Sequence, residues 1–461
     1  MFTLKQLILS SGFILTGCVN LVPDYQTPDL PVPQQFSLSQ NGLVAVADSY
    51  QDTGWRSFFT QPELQQLIAS GLENNRDIEM AALKIQKIRA EYGVTKAERY
   101  PQLNGASSVR YQGGLNADKG SSKEYDIGLE LSLDLDFFGR LKNSIEAEKQ
   151  NLLASEEARR NVHIVLVSAI SQNYFNQQLI FEQLQIAQDT RRNYQQAYAL
   201  VRQQVVNGSS NLLALEQARG VLDSTEAEIA RREGELAQTT NALQLLLGSY
   251  QTGRVSASTG AMEFNPVRLP AHLSSDILLQ RPDILEAEHQ LKAANANIGV
   301  ARAAFYPAIN LTSGLSGSSS ELNRLFNTAS GLWSFIPKIE LPIFNAHRNQ
   351  QNLARVNILQ QQAVVNYQQK IQNAFKQVAD SLALRDSLYR QLIAQQRYLK
   401  TLNTSLQRAK RLYASGVGSY IEVLDTQRSL FTTRQTIVDL QYARQINEIN
   451  LFTALGGGWK V

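Results

Sequence analysis

Five carboxylates recur at even spacing in one short stretch: Glu124, Asp126, Glu130, Asp134 and Asp136. Alternate residues of a strand share a face, so this spacing lines one side of a β-strand with negative charge. The positions between them, Tyr125, Ile127, Leu129, Leu131, Leu133, Leu135 and Phe137, make the other side apolar. Carboxylates lining a passage favour cations, although the same residues serve equally to keep a surface wet. Other chemistry is thinly supplied. The four histidines, His163, His272, His289 and His347, form no ligand-spaced pair, Cys18 is the only cysteine, and no metal site is expected. No phosphate-cradling glycine loop follows a strand and no nucleophile elbow occurs, while Gly456-Gly457-Gly458 follows a helical run and reads as chain termination. No catalytic residue is expected, and no enzymatic activity.

The element that carries the carboxylates is unusual for its length. A tilted strand needs about 9–11 residues to cross a bilayer, and this one reaches or exceeds that before ending at Phe137 and Phe138, where an interfacial aromatic girdle would sit. It fits a strand with lipid on one side and water on the other, or the edge strand of a soluble sandwich. No stretch after the N-terminus has 18 or more consecutive apolar residues, so any membrane crossing must be made by a barrel. Lys5 and the short apolar run that follows read as a signal peptide over 1–17. Leu15-Thr16-Gly17-Cys18 resembles a bacterial lipobox, which implies a diacylated Cys18 as the first mature residue. Val19 after it resembles a signal for the outer membrane. Across 461 residues, 44 basic side chains oppose 41 acidic ones, and no basic cluster offers a footprint for nucleic acid.

The chain is also duplicated. Arg76-Asp77-Ile78, Tyr100-Pro101 and Phe138 recur as Pro282-Asp283-Ile284, Tyr306-Pro307 and Phe344, each 206 positions on. Ala214 to Arg219 recurs as Val423 to Arg428 at an offset of 209, so three residues were gained, most simply within the second long helix or at its tip. Alternation from Trp333 to Phe344 repeats the first strand, with weaker alternation from Leu103 to Tyr111 and Ile309 to Leu315, which gives two hairpins. Pro337 and Pro342 predict a strand end or bulge in the last strand. Long proline-free runs with helical spacing follow, from about Arg140 to Val206 and Ala346 to Ser415. Each ends in small residues before a returning helix. The expected organisation is a signal peptide at 1–17, a lipidated segment at 18–60, a first repeat at 61–250, a linker at 251–275, a second repeat at 276–455 and a tail at 456–461.

Four strands cannot close a barrel, and open edges in hydrocarbon cost several kcal/mol for each unsatisfied group. Two copies of the chain would make eight strands, with an interior filled by side chains. Three copies make twelve, the smallest closed set with a wet lumen, so the count predicts a homotrimer.

The lipobox, the duplicated Tyr-Pro, Asp136-Phe137-Phe138-Gly139-Arg140, Leu279 to Ile284, Val423 to Phe431 and Ala454 to Trp459 together resemble the TolC-like outer-membrane efflux factors. The resemblance covers essentially the whole chain. Pro31 to Leu43 and Tyr174 to Gln178 look closest to the copper/silver branch. The resemblance implies a mixed α/β membrane fold: a trimeric twelve-strand transmembrane β-barrel continued by a periplasmic α-helical barrel, with a mixed belt between them. It implies a passive outer-membrane channel of a tripartite system exporting copper(I) and silver(I). Its partners would be a periplasmic membrane-fusion adaptor and an inner-membrane resistance-nodulation-division proton antiporter. By the same resemblance Ile421, Asp425 and Arg428 match the periplasmic gate, and their spacing puts them on one helical face. Arg202, Gly208 and Ser209, with Arg411, Gly416 and Ser419, match the tips that meet the adaptor; the glycines also suit helix ends. Soft monovalent metals prefer thiolate and thioether ligands. With Cys18 acylated, only Met80 and Met262 remain after processing, so the channel is expected to conduct such ions without binding them, and the covalent lipid is the only non-protein group. A multidrug or protein-secretion outlet would share every feature except the choice of partner, and a periplasmic coiled-coil scaffold without a pore is the alternative of another class.

Overall fold

The structure is a computed structural model that describes residues 20–36, 54–113, 121–250, 266–267, 269, 273–327 and 330–457. The signal peptide, Cys18, Met262, His272, most of the expected linker and the tail beyond Gly457 lie outside the described residues. Internal packing divides the chain into two units. One contains 1–29, 83–157 and 285–369, and the other contains 30–82, 158–284 and 370–461.

The first unit holds the sheet. Strands β1 (Gln102–Gln112), β2 (Ser122–Leu135), β3 (Ala308–Ser319) and β4 (Gly331–Glu340) lie in the order β1-β2-β3-β4. Every neighbouring pair is antiparallel. The register carries the alternation across the whole sheet: Leu103 faces Leu131, Leu129 faces Leu315, and Leu315 faces Trp333. All residues of β1 and β4 are exposed. A soluble antiparallel sheet normally buries one face, whereas here Leu103, Tyr111, Leu129, Leu315, Trp333 and Ile339 stand open on a common apolar side.

Two expectations need correction in this unit. Pro337 produces no bulge: β4 runs through it in unbroken register, with Leu311 opposite. Within the chain β4 is an edge strand, where proline is found more readily than in a central one, and its register with β3 is kept. The strand does end two residues before Pro342. The second correction concerns β2, which stops at Leu135, short of Phe137. The Asp136 carboxylate accepts a hydrogen bond from the Lys142 backbone N–H at 2.7 Å, and Gly139 takes φ 72°, so the chain has already turned into the next helix.

The helices repeat as the strands do. Helix α1 (Pro62–Asn74) leads to α2 (Arg76–Ala97), which Asn75 caps by accepting from the Asp77 backbone N–H at 2.8 Å. After β2 comes α3 (Arg140–Val206), then α4 (Leu212–Leu247); in the second copy come α5 (Pro282–Ala303), α6 (Arg348–Ala414) and α7 (Tyr420–Ala454). Helices α3 and α6 each have 67 residues, about 100 Å at 1.5 Å per residue. No helix among the described residues is long and apolar enough to cross a membrane.

These bounds relocate the gained residues. Helices α2 and α5 start 206 apart, but α3 and α6 are already 208 apart at both ends. Two of the three extra residues therefore precede α6, where Ala346 and His347 both adopt positive φ. The tips themselves are equally long, because the caps Asn211 and Ser419 are also 208 apart. Asn211 accepts from the third backbone N–H of α4, whereas Ser419 accepts from the second of α7. The buried positions are 209 apart at Ala214 and Val423 but 208 apart again at Ile229 and Ile437.

In the second unit, Gly248 ends α4 at φ 67°, and a Cβ there would sit 2.2 Å from the Asn74 carbonyl oxygen. Gly234, inside the same helix, has nothing within 4 Å. Gly248→Ala should therefore lower the thermal midpoint by more than positive φ alone explains, while Gly234→Ala should add about 0.5–1 kcal/mol. Paired melts of the two variants check this.

Candidate functional site

Three places gather the residues nominated from sequence. The first is the polar side of the sheet. Glu124 is held by Arg110 at 3.4 Å and accepts from the Ser318 hydroxyl at 2.9 Å. Ser108 donates to Asp126 at 3.2 Å, and Arg140 reaches Asp134 at 3.2 Å. Glu130 lies between Asn104 and Gly314 with no ion pair among the described residues. Asp136 is beyond the strand and caps α3. The face is therefore acidic but partly neutralised, and its least compensated carboxylates are Asp126 and Glu130.

The second place is the pair of tips. At the end of α3 the Ser209 N–H bonds the Gln204 carbonyl at 2.8 Å and the Gly208 N–H that of Val205 at 3.0 Å, with Gly208 at φ 72°. At the end of α6 the Val417 N–H bonds Leu412 and the Gly416 N–H bonds Tyr413, with Gly416 at φ 76°. Both are Schellman ends, and their glycines are required by the left-handed residue. Arg202, Gly208, Ser209, Arg411, Gly416 and Ser419 are all exposed. Sequence reasoning missed Gly418, where a Cβ would meet that of Leu412 at 2.9 Å. The Gly-x-Gly spacing from 416 to 418 was its available signal. Beneath the tips a core of Tyr194, Val201, Ala214, Ala218, Val221, Tyr420, Val423 and Leu424 joins α3, α4 and α7.

The third place is the first turns of α7. Val423, Leu424, Gln427 and Leu430 are buried there, and Ile421, Asp425 and Arg428 are exposed on the opposite side. Asp425 and Arg428 form no ion pair with each other in the chain. Burial raises the Tyr194 hydroxyl above its ordinary value, and the positive charge of Arg428 opposes the shift. In the first copy, Arg219 turns instead to Asp223 at 3.8 Å.

Among the described residues, no group of three or more His, Cys, Asp or Glu could hold a metal ion. His289 shares a hydrogen bond with Gln150 at 2.7 Å, and burial lowers the pKa of His163.

A duplicated helix–hairpin–helix chain with a lipid-like sheet face has known counterparts. The family model described as outer membrane efflux protein matches residues 67–249 and again 273–457. The chain belongs to the outer membrane efflux protein family. It is 64% identical over 459 residues to the probable outer membrane lipoprotein SilC of Salmonella typhimurium, covering 100% of each chain. It is 62% identical to the cation efflux system protein CusC of Escherichia coli strain K12, covering 98% of this chain and 99% of that one. A crystal structure of CusC superposes with a TM-score of 0.86 at 60% identity, over 95% of this chain and 100% of the other. The chain is thus an outer-membrane efflux protein with the mixed α/β, internally duplicated channel fold, and it is not an enzyme.

Two buried charge sites of this family member were not nominated from sequence, although Arg281 and Asp283 lie in the Leu279 to Ile284 motif. Arg281, 9% exposed at its side chain, grips Asp283 at 2.9 Å and donates to the Ala454 carbonyl at 2.6 Å and to Gln377 at 3.0 Å, which fastens the end of α7. Arg385 pairs with buried Glu448 and donates to the Val267 carbonyl at 3.0 Å, while the Val267 N–H donates back to Glu448 at 3.2 Å. Half-buried Glu182 on α3 is different: burial alone pushes its carboxyl above the ordinary 4.5. The folded state then binds more protons between the ordinary and raised values, so this contribution to stability falls as pH rises through that window. Glu182→Gln should raise the thermal midpoint at pH 7–8 and leave it nearly unchanged well below pH 4.5.

Proposed function

We propose that this protein is the outer-membrane outlet of a tripartite cation efflux system and passes copper(I) and silver(I) to the exterior. The observation that carries the reading is the near-complete overlap, above 60% identity, with proteins named for cation efflux and with SilC. The sheet chemistry agrees with it, since Asp126 and Glu130 leave uncompensated negative charge on the polar side. The donor set agrees too: without thiolate or clustered thioether, the channel conducts soft ions and leaves selection to an adaptor and a proton-driven inner-membrane pump.

The assembly we infer is a homotrimer of twelve strands. Support comes from the two open edges, β1 and β4, whose unpaired backbone groups hydrocarbon would not tolerate. Cys18 would carry the anchoring lipid. The exposed residues at both tips would meet the adaptor. Threefold symmetry would turn Ile421, Asp425 and Arg428 into rings around a narrow periplasmic throat.

The test is growth inhibition by silver, copper and a hydrophobic antibiotic in a deletion strain complemented with the gene. Metal tolerance restored alone is the expected result. Restoration of antibiotic tolerance instead would make the protein a multidrug outlet.

A further inference from the structure

The acidic residues occupy the polar side of the sheet, but the apolar side carries a cation. Lys123 stands in line with Tyr125, Ile127 and Leu129 and lies opposite Tyr111. Its Nζ is 4.6 Å from the Tyr125 ring centroid and 5.1 Å from that of Tyr111. Two rings thus steer the ammonium by attraction to their faces, and both place a phenolic hydroxyl near it. Lys123 is at the end of β2 remote from Asp136 and α3, which is the extracellular end of a strand whose other end enters the periplasmic helix.

Farther along the same side the sheet is dented. Gly105 and Ser107 on β1 and Gly317 on β3 supply no bulk around Ile127, and the connection after β3 hangs over the gap. The overhang depends on glycine: a Cβ on Gly317 would lie 3.1 Å from the Leu325 carbonyl oxygen. The resulting cavity measures about 820 Å³ and is walled on one side by Trp333. Leu325 is buried in it although the surrounding strand surface is open.

We propose that Lys123 and this dent together bind one phosphorylated, acylated glycolipid of the outer leaflet, with the phosphate on Lys123 between Tyr111 and Tyr125 and an acyl chain beneath Leu325. The proposal rests on the apolar side of the sheet facing lipid. Charge and shape select the occupant. An uncharged chain alone would leave Lys123 unused, and a free phosphate would leave the apolar dent empty. The leaflet follows from the extracellular position of Lys123.

The experiment uses the full chain reconstituted in phosphatidylcholine brominated in its acyl chains, which quenches tryptophan on contact. The difference between this protein and its Trp333→Phe variant isolates the Trp333 signal. Added unbrominated lipid A should restore that signal at a mole fraction about fivefold lower than unbrominated phosphatidylcholine requires. Lys123→Gln should erase the advantage and Lys123→Arg should keep it. Recovery that merely follows bulk composition, or an advantage intact in Lys123→Gln, would overturn the site. Phosphatidylglycerol as effective as lipid A would overturn the choice of glycolipid. A Trp333 that brominated lipid never quenches would instead overturn the lipid-facing reading of the sheet.

Discussion

Arg385→Ala is expected to lower stability by about 3–5 kcal/mol, the cost of stranding one member of a buried ion pair. Glu448 is 3% exposed. Once the guanidinium is gone, its carboxylate keeps, among the described residues, only the Val267 backbone N–H at 3.2 Å. One donor cannot repay the lost hydration of a charge. Arg385 also holds the Val267 carbonyl, so the variant should free the segment that joins the two repeats as well as destabilise the helices. Replacing both partners, Arg385→Leu with Glu448→Leu, should cost much less, because no charge is then left buried. Apparent unfolding midpoints of the two variants in urea, with proteolysis near Val267 as a second readout, decide the matter. Equal losses in both variants would mean that the pair contributes packing and little electrostatics.

The largest functional effect is expected at α7. Asp425→Ala should raise single-channel conductance in planar bilayers severalfold, and so should Arg428→Ala. Asp425 and Arg428 are exposed on one helical face, yet they do not pair within the chain, so a lock built from them must join different copies. Three carboxylates around a narrow axis repel one another unless cations intervene, and Arg428 would supply those cations from the next copy. Exchanging the charges, Asp425→Arg with Arg428→Asp, should therefore return the channel towards the low-conductance state, whereas either reversal alone opens it. Residues that were no more than solvated surface would leave conductance unchanged in all of these variants.

Much of the fold was legible because its signals are periodic and local. The alternation around Glu124 to Leu135 needs no distant partner to be read, and neither do the proline-free helical runs, which end where Gly208 and Gly416 demand a left-handed residue. Strand limits were harder. Asp136 continues the alternation in sequence, but its carboxylate is taken by the first turn of α3, and that competition is invisible to a count of odd and even positions. Pro337 misled for the opposite reason, since its cost depends on whether the strand has a neighbour on that side. The Arg281 and Arg385 sites were not legible as sites. The Ala454 carbonyl that Arg281 holds and the Glu448 that Arg385 pairs with are 173 and 63 residues away, and contacts of that separation leave no pattern in either segment. On α7 the sequence placed Asp425 and Arg428 on one helical face, and only the geometry showed that they do not pair with each other within the chain.

The open edges of β1 and β4 also have a genetic consequence. A protomer whose sheet is completed only by its neighbours shares its fate with them, so a cell that makes intact and gate-defective chains in equal amount would build mixed pores. Roughly one in eight trimers would be wholly intact if the chains associate at random. A second, damaged gene copy would thus be dominant over a healthy one, and the strength of that dominance would count the subunits in the pore without any structure being solved.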